Sequence, residues 1–285
     1  MASRPYSLGF SPCPNDTFIF HALVHGLLGG DTPRFAAPEL ADVETLNEWA
    51  FAGRLDVTKL SYHAYGHVAD RYVLLSAGSA LGRGCGPLLV ARNVLDQAAL
   101  PERTIAIPGR HTTAALLLKL FAPACGNLVT MRFDQIMPAI ASGAVDAGVI
   151  IHESRFTYPQ HGLRLIQDLG QWWEETTGLP IPLGGIAARR SLGDAAIRAI
   201  DRAVRASVRM AFDAPQAAMP YVRQHAQELD DTVIASHIGL YVNASSENLG
   251  AEGLAAVGEF LRRGAAAGVL PSLPDLPLVV PSGGA

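Results

Sequence analysis

Up to about residue 190 the chain alternates short apolar runs with segments of helical period, and beyond that point only helical patterns follow. The apolar runs at 6–10, 56–60 and 146–151 predict strands, and the last is typical of a strand covered on both faces. The segments 43–54 and 112–121 carry apolar residues at helical spacing. Strands that alternate with helices predict a mainly parallel sheet flanked by helices.

The alternation occurs in two sets, which predicts two lobes. Strands of the first set are expected at 6–10, 34–37, 56–60, 72–75 and 87–91, and those of the second at 104–107, 128–131 and 146–151. The Pro- and Gly-rich stretch 178–185 is typical of a hinge-like passage, and 285 residues are enough for two domains. We predict an α/β protein in which residues 1–92 and 187–285 form lobe I, residues 93–186 form lobe II, and a ligand binds in the cleft between them.

Composition excludes several classes of function. Hydrophobic residues make up 49% of the chain and charged residues 17%, so a buried core is expected rather than disorder. The net charge is −4 and basic residues cluster only in pairs such as Arg189-Arg190, which argues against a nucleic-acid partner. No apolar run approaches the length that spans a bilayer, so no membrane insertion is expected. The oligomeric state stays open.

The cysteines and the start of the chain predict a cytoplasmic protein. Cys13, Cys85 and Cys125 are far apart and odd in number, which fits a reducing compartment and argues against a disulfide framework or a thiolate metal site. The first residues show no positive start followed by an apolar stretch and a cleavage site, so no secretory signal is expected.

The turn SPCPND at 11–16 follows the first predicted strand. Asn15 and Asp16 can cap the next helix and leave backbone N–H groups facing a ligand, or the segment is only a rigid helix cap. Cys13 is not expected to be a nucleophile, because no cationic neighbour in sequence would lower its pKa.

Lys59 and Ser61 lie at the end of another predicted strand, where they can bind a carboxylate or hydroxyl group. The alternative for Lys59 is an ion pair with a surface acid. His63 and His67 have the four-residue spacing of a metal-binding pair, but no third ligand is evident and no metal is expected.

The tandem threonines Thr112 and Thr113 open a predicted helix after a strand end, and they favour an anion site aided by the helix dipole. An ordinary N-cap would need only one hydroxyl residue. The Gly- and Ser-rich segment 76–86 is not a dinucleotide loop, since a strand follows it, and not a phosphate loop, since no Lys-Ser or Lys-Thr follows. A hinge, turn or cleft wall is expected there.

The aliphatic run that ends at Ile151 is followed at once by four polar residues, HESR at 152–155. At this position they must face something other than a core, so His152 is expected to lie in a cleft, where a neutral imidazole can act as a general base. Glu153 or Arg155 could orient it. The alternative is a capping cluster at a helix start.

Together, six segments resemble the 1,4-dihydroxy-6-naphthoate synthase family of the futalosine route to menaquinone. They are SPCPNDTF at 11–18, TKLS at 58–61, SAGSALG at 76–82, TT at 112–113, IHESRFTY at 151–158 and GLPIPLGG at 178–185. The order of the segments is that of the family and covers roughly residues 5–190.

The resemblance implies a periplasmic-binding-protein-like fold of type II, used as a cytoplasmic carbon–carbon lyase without a cofactor or metal. The implied substrate is an anionic aryl carboxylate, cyclic dehypoxanthinyl futalosine, and the implied products are 1,4-dihydroxy-6-naphthoate and a three-carbon sugar fragment. His152 would be the proton acceptor. The candidate substrate-binding residues are Asn15, Lys59, Leu60, Ser61, Ser79, Thr112 and Thr113.

Two alternatives remain. A solute-binding protein of the same fold would need only the cleft, but it would normally carry an export signal. The sister enzyme of the pathway dehydrates chorismate on a similar fold, and the segments 11–18 and 152–158 favour the naphthoate enzyme over it.

Overall fold

A computed structural model of the protein describes residues 4–226 and 230–280. Its strands are β1 (Leu8–Phe10), β2 (Glu39–Leu40), β3 (Val57–Ser61), β4 (Tyr72–Leu74), β5 (Ala80–Gly82), β6 (Leu88–Ala91), β7 (Ile105–Ile107), β8 (Leu128–Thr130), β9 (Ala147–Ile150), β10 (Arg164–Asp168) and β11 (Ile181–Arg189). Its α-helices are α1 (Pro14–Val24), α2 (Val43–Phe51), α3 (Tyr62–Val68), α4 (Thr113–Phe121), α5 (Phe133–Ser142), α6 (Ser154–Thr157), α7 (Leu169–Thr177), α8 (Asp194–Asp213), α9 (Pro215–His225), α10 (Asp231–Tyr241), α11 (Ala244–Glu247) and α12 (Gly250–Ala266). None of these helices is both long enough and apolar enough to cross a membrane.

The strands form two sheets, which confirms the α/β class. The first sheet has the order β2-β1-β3-β11-β4, with β5 also paired to β11. The second has the order β10-β6-β9-β7-β8. Every residue of β3 and β9 is buried, as expected for strands that are covered by other elements on both faces.

Both sheets are mainly parallel in strand direction, as predicted, and each has one strand that runs against the others, β11 in the first sheet and β6 in the second. Each contains a parallel trio, β2-β1-β3 in one and β8-β7-β9 in the other. In contrast, β11 runs antiparallel to β3, β4 and β5, and β6 runs antiparallel to β9 and β10. The trios are joined by helical crossovers, whereas β6 and β11 enter directly from the other sheet and therefore arrive in the opposite direction.

Several local predictions were wrong. The stretch 178–185 is not only a hinge, because β11 begins at Ile181 and pairs with three strands. Its Pro182 is accommodated where the register against β5 shifts. The strand expected at 34–37 forms only one isolated bridge, through Phe35, and β2 follows it.

Helix α1 begins at Pro14, inside the turn predicted at 11–16, and its N-cap is Cys13 rather than Asn15 or Asp16. Helices α3 and α7 and strands β5 and β10 were not predicted, and β5 lies inside the segment 76–86.

The helices after residue 190 return to the first sheet. Helices α8, α9 and α10 pack against α1, while α12 contacts α3 and α4. The predicted division into lobes at 92/93 and 186/187 stays a prediction. Residues 1–3, 227–229 and 281–285 lie outside the described part of the chain. Because β6 belongs to the second sheet and β11 to the first, we propose that the chain crosses between the lobes at 83–87 and at 178–180.

The first crossing requires a glycine. A Cβ on Gly86 would lie 2.2 Å from the Cα of Gly170, so the two backbones meet with no room for a side chain. We expect Gly86→Ala to lower the free energy of unfolding by about 1–3 kcal/mol, measured by urea denaturation. Gly126→Ala is the control, since no atom of the described residues lies within 4 Å of its Cβ position. Equal stability of the two variants would contradict this account of the crossing.

Candidate active site

Two chambers lie where β1, β3, β7 and β9 end. The inner chamber, of about 100 Å³, is lined from both sheets by residues that include Ser11, Asn15, Asp16, Lys59, Ser61, Thr112, Thr113, Leu183 and Tyr241. The outer chamber, of about 130 Å³, is lined by residues that include Cys13, Asp42, Arg132, Phe133, Glu153 and Val233. His152 and His237 line both chambers. The strand ends of the two lobes therefore meet at one site, as ligand sites of α/β sheets do.

Most of the predicted site residues meet at the inner chamber. They are Asn15, Lys59, Ser61, Thr112, Thr113 and His152. Leu60 does not line it, because alternate residues of a strand point to opposite faces and its side chain is fully buried in the core. Ser79 is buried nearby, where its Oγ lies 2.6 Å from the hydroxyl oxygen of Tyr62.

Lys59 forms an ion pair with a buried acid, not with an acid at the surface. Its Nζ lies 2.7 Å from Oδ1 of Asp16, and both side chains are more than nine-tenths buried. Oδ2 of Asp16 accepts the hydroxyl of Ser11 at 2.7 Å, and Oδ1 accepts the amide of Asn15 at 2.8 Å. The charges of the pair are thus neutralised within a network that fixes the wall of the inner chamber.

Two helices begin at this wall with capped N-termini. Oγ of Ser61 accepts from the N–H of Ala64 in α3, and Oγ1 of Thr112 accepts from the N–H of Ala115 in α4. The hydroxyl of Thr113 donates to the Leu183 carbonyl at 2.6 Å. The tandem threonine hydroxyls are therefore used inside the protein, and α4 offers an anion its first N–H groups and its dipole.

His152 has a backbone conformation that side chains seldom adopt. With φ of 58°, it is the one non-glycine residue with positive φ within 4–226 and 230–280. Such strain, of about 1–3 kcal/mol, persists where the surrounding structure enforces it and is common at functional sites. The alternative of a capping cluster fails here, since Glu153 is the N-cap of α6 and its side chain accepts no capping hydrogen bond.

The tertiary structure gives Cys13 the neighbour that its sequence context lacks. Its Sγ lies 3.9 Å from Nδ1 and 4.0 Å from Nε2 of the half-buried His152 ring. Burial lowers the pKa of His152, but the contact with Cys13 and the negative charges of Glu153 and Asp16 outweigh it and raise the pKa to about 9. In the ligand-free protein this imidazole is therefore cationic at neutral pH.

His237 on α10 is a site residue that the sequence analysis missed. It is 1% exposed, and its Nε2 lies 3.0 Å from Oδ1 of Asn15. Burial, with the charges of His152 and Lys59, lowers its pKa to about 3, so it is neutral. A signal existed, because His237 lies between Ile234 and Tyr241 on the apolar face of α10, where a solvated histidine is not expected.

Arg155 points away from the chambers. It pairs with Asp168 at 2.7 Å and donates to the Gly86 carbonyl, so it holds the lobe crossing together.

His63 and His67 meet His111 behind the site, with ring centroids 5.5–5.8 Å apart. Nδ1 of His63 lies 3.0 Å from the Thr112 carbonyl, and burial lowers its pKa to about 3. Across the described ranges, no group of three or more His, Cys, Asp or Glu residues is arranged to hold a metal ion.

Two lobes with a ligand site between their strand ends define the periplasmic-binding-protein-like class. The fold is similar to that of the alkanesulfonate-binding protein SsuA from Xanthomonas axonopodis pv. citri bound to MOPS. The TM-score is 0.71 at 16% identity, covering 95% of this chain and 96% of that chain. A crystal structure of a protein from Archaeoglobus fulgidus is more similar, with a TM-score of 0.88 at 36% identity over 95% of this chain and 100% of that one.

The chain belongs to the menaquinone biosynthesis family, whose model matches residues 6–266. It is 57% identical over 262 residues to a 1,4-dihydroxy-6-naphthoate synthase of Thermus thermophilus, covering 92% of this chain and 94% of that protein. It is 49% identical over 285 residues to the enzyme of the same name from Streptomyces coelicolor, covering 96% and 98%. The predicted family and fold are confirmed.

The contact between Cys13 and His152 predicts a titration. Because the His152 pKa is raised to about 9, its ring loses its proton only as the pH approaches that value. We expect an NMR titration of the ligand-free protein to show this midpoint, and Cys13→Ala to lower it by removing the largest favourable cause. Cys125→Ala is the control, since Cys125 is buried outside both chambers. An unchanged midpoint in the Cys13 variant would contradict the coupling.

Proposed function

We propose that this protein catalyses the 1,4-dihydroxy-6-naphthoate synthase reaction of menaquinone biosynthesis. Cyclic dehypoxanthinyl futalosine would be cleaved to 1,4-dihydroxy-6-naphthoate and a three-carbon sugar fragment. The observation that carries the proposal is near-full-length identity of 57% and 49% to two proteins of that name. The site supports it, because a histidine lies between two chambers that could receive the two parts of such a substrate.

The first step assigned to the site is a proton transfer. Because the pKa of His152 is raised, only a minor fraction of its imidazole is neutral at neutral pH, and that fraction is the base. It accepts an acidic proton from the carbon skeleton beside a ketone, and the electron pair left behind allows a carbon–carbon bond to break. Formation of a new aromatic ring drives the cleavage. The reaction is of the carbon–carbon lyase type and transfers no electrons to an external acceptor, so no redox cofactor is expected.

The chamber walls supply binding and stabilisation. The N-terminus of α4 at Thr112 and Thr113 suits the aryl carboxylate, because its N–H groups and dipole favour an anion. The ammonium group of Lys59 lies on the same wall, where its positive charge favours negative charge that develops on oxygen, whereas the hydroxyl of Ser61 donates to the His111 carbonyl. A small-molecule substrate of this kind fits the expected cytoplasmic location, as do three free cysteines.

A solute-binding protein would use the same cleft without chemistry. The similarity to the alkanesulfonate-binding protein, at 16% identity, shows the fold alone. The two near-full-length relatives that are named as enzymes, together with the strained backbone of His152 between the chambers, favour an enzyme.

Incubation with candidate substrates tests the reaction. We expect the protein to convert cyclic dehypoxanthinyl futalosine into a product with a naphthalene absorption spectrum, and to leave chorismate unchanged. The physical reason is a site with a base between two chambers, which suits cleavage of a two-part molecule. Turnover of chorismate instead would assign the protein to the sister reaction, and tight binding without turnover would make it a solute-binding protein.

The general-base role predicts the effect of His152→Asn. An amide cannot accept the proton at neutral pH, so we expect kcat to fall by about 10²–10⁴-fold while the Kd for substrate changes little. Stopped assays and calorimetric titration measure the two quantities. His161→Asn serves as the control, because His161 is exposed and outside both chambers. Turnover of the His152 variant equal to that of the control would remove His152 from the mechanism.

A further inference from the structure

We propose that His237 is a second substrate contact, whose unprotonated Nδ1 accepts a hydrogen bond from a hydroxyl group on the sugar-derived part of the substrate. The inference rests on the proposed function and adds to it a specificity-determining residue. It is carried by a chain of hydrogen bonds that begins at the buried ion pair and ends at the His237 ring.

The ion pair determines which way the amide of Asn15 points. The Asp16 carboxylate accepts from Lys59 through Oδ1, and it can only accept, so the Asn15 atom that lies 2.8 Å from it must be the NH2 group. The Asn15 oxygen then faces the other way, where Nε2 of His237 lies 3.0 Å from it.

The amide in turn determines the tautomer of His237. Because the Asn15 oxygen is an acceptor, Nε2 must carry the proton and donate it. The imidazole is neutral, since burial lowers its pKa to about 3. Nδ1 is therefore left with a lone pair and no proton.

That lone pair has no partner among the described residues of the ligand-free protein. Nδ1 is buried, and no donor of the described residues reaches it. Buried polar atoms are paired in nearly all folded proteins, and an exception calls for an explanation. The ring borders both chambers, so the missing donor is assigned to a ligand, which would reach the enclosed Nδ1 as the lobes close around it.

The chemistry of Nδ1 selects a hydroxyl group rather than an anion. A bare nitrogen lone pair repels a carboxylate and attracts an O–H donor. The ring of His237 also stacks on that of His152, with centroids 6.1 Å apart and planes inclined by 22°, so the hydroxyl would lie beside the base. The carboxylate end is best placed at α4, which leaves the hydroxyl-bearing end of the substrate for His237.

Two substitutions separate this role from a structural one. In His237→Gln the terminal NH2 group can occupy the place of Nε2 and keep the bond to Asn15, while the acceptor at Nδ1 is lost. In His237→Asn the side-chain oxygen can occupy the place of Nδ1, while the bond to Asn15 is lost. Each variant thus keeps one hydrogen-bonding function of the imidazole: His237→Gln keeps the donor at Nε2, and His237→Asn keeps the acceptor at Nδ1.

We expect activity and stability to rank the variants in opposite orders. For turnover of cyclic dehypoxanthinyl futalosine, kcat/KM should fall about 10- to 100-fold in His237→Gln and clearly less in His237→Asn. Thermal unfolding should show a lower Tm for the Asn variant than for the Gln variant. A ¹⁵N NMR spectrum of the wild-type protein should show His237 protonated at Nε2 only.

The outcomes of these experiments distinguish a substrate contact from a structural role of His237. If the Gln variant is as active as the wild type, or more active than the Asn variant, His237 is structural and the inference is overturned while the proposed function stands. A proton on Nδ1 in the ligand-free protein overturns it as well, independently of activity. If the wild-type protein does not turn over the substrate, the proposed function fails first and the substrate contact falls with it.

Discussion

The site depends on one buried ion pair, between Lys59 and Asp16. Two charges withdrawn from water are tolerated only when each is paired and its remaining hydrogen-bonding groups are satisfied, and loss of one partner typically costs about 3–5 kcal/mol. Here Ser11 and Asn15 donate further hydrogen bonds to the Asp16 carboxylate. The pair joins β3 to the first turn of α1, so the turn that follows β1 is held against the wall of the inner chamber.

Near this pair, two neighbouring histidines have pKa values that are shifted in opposite directions. The carboxylate of Asp16 and the side chains of Cys13 and Glu153 hold a proton on His152, whereas burial and the positive charges nearby keep His237 neutral. Two neighbouring imidazoles with pKa values displaced in opposite directions can take different roles at one pH, one as the titrating base and one as a fixed hydrogen-bond acceptor.

The fold supplies the positions of these groups. Parallel strands β1, β3, β7 and β9 bring their carboxyl ends to one cleft, while antiparallel β6 and β11 carry the chain between the sheets. Close approach of Gly86 to Gly170 keeps one crossing compact. Because the chambers lie between two lobes, closure around a ligand would exclude water from His152, as the proposed proton transfer requires.

The sequence by itself determined the α/β class and the strand ends that carry Lys59, Ser61, Thr112 and His152, because hydrophobic period and polar residues after buried strands are local properties. It could not determine strand direction for β6 and β11, since their pairing depends on where the other lobe lies. Nor could it find the contact of Cys13 with His152 or the role of His237, whose partners are 139 and 222 residues away in the chain. Chemistry that depends on such pairs, namely pKa and tautomer, was decided only by the tertiary structure, because it is packing that sets the burial and the neighbours of each group.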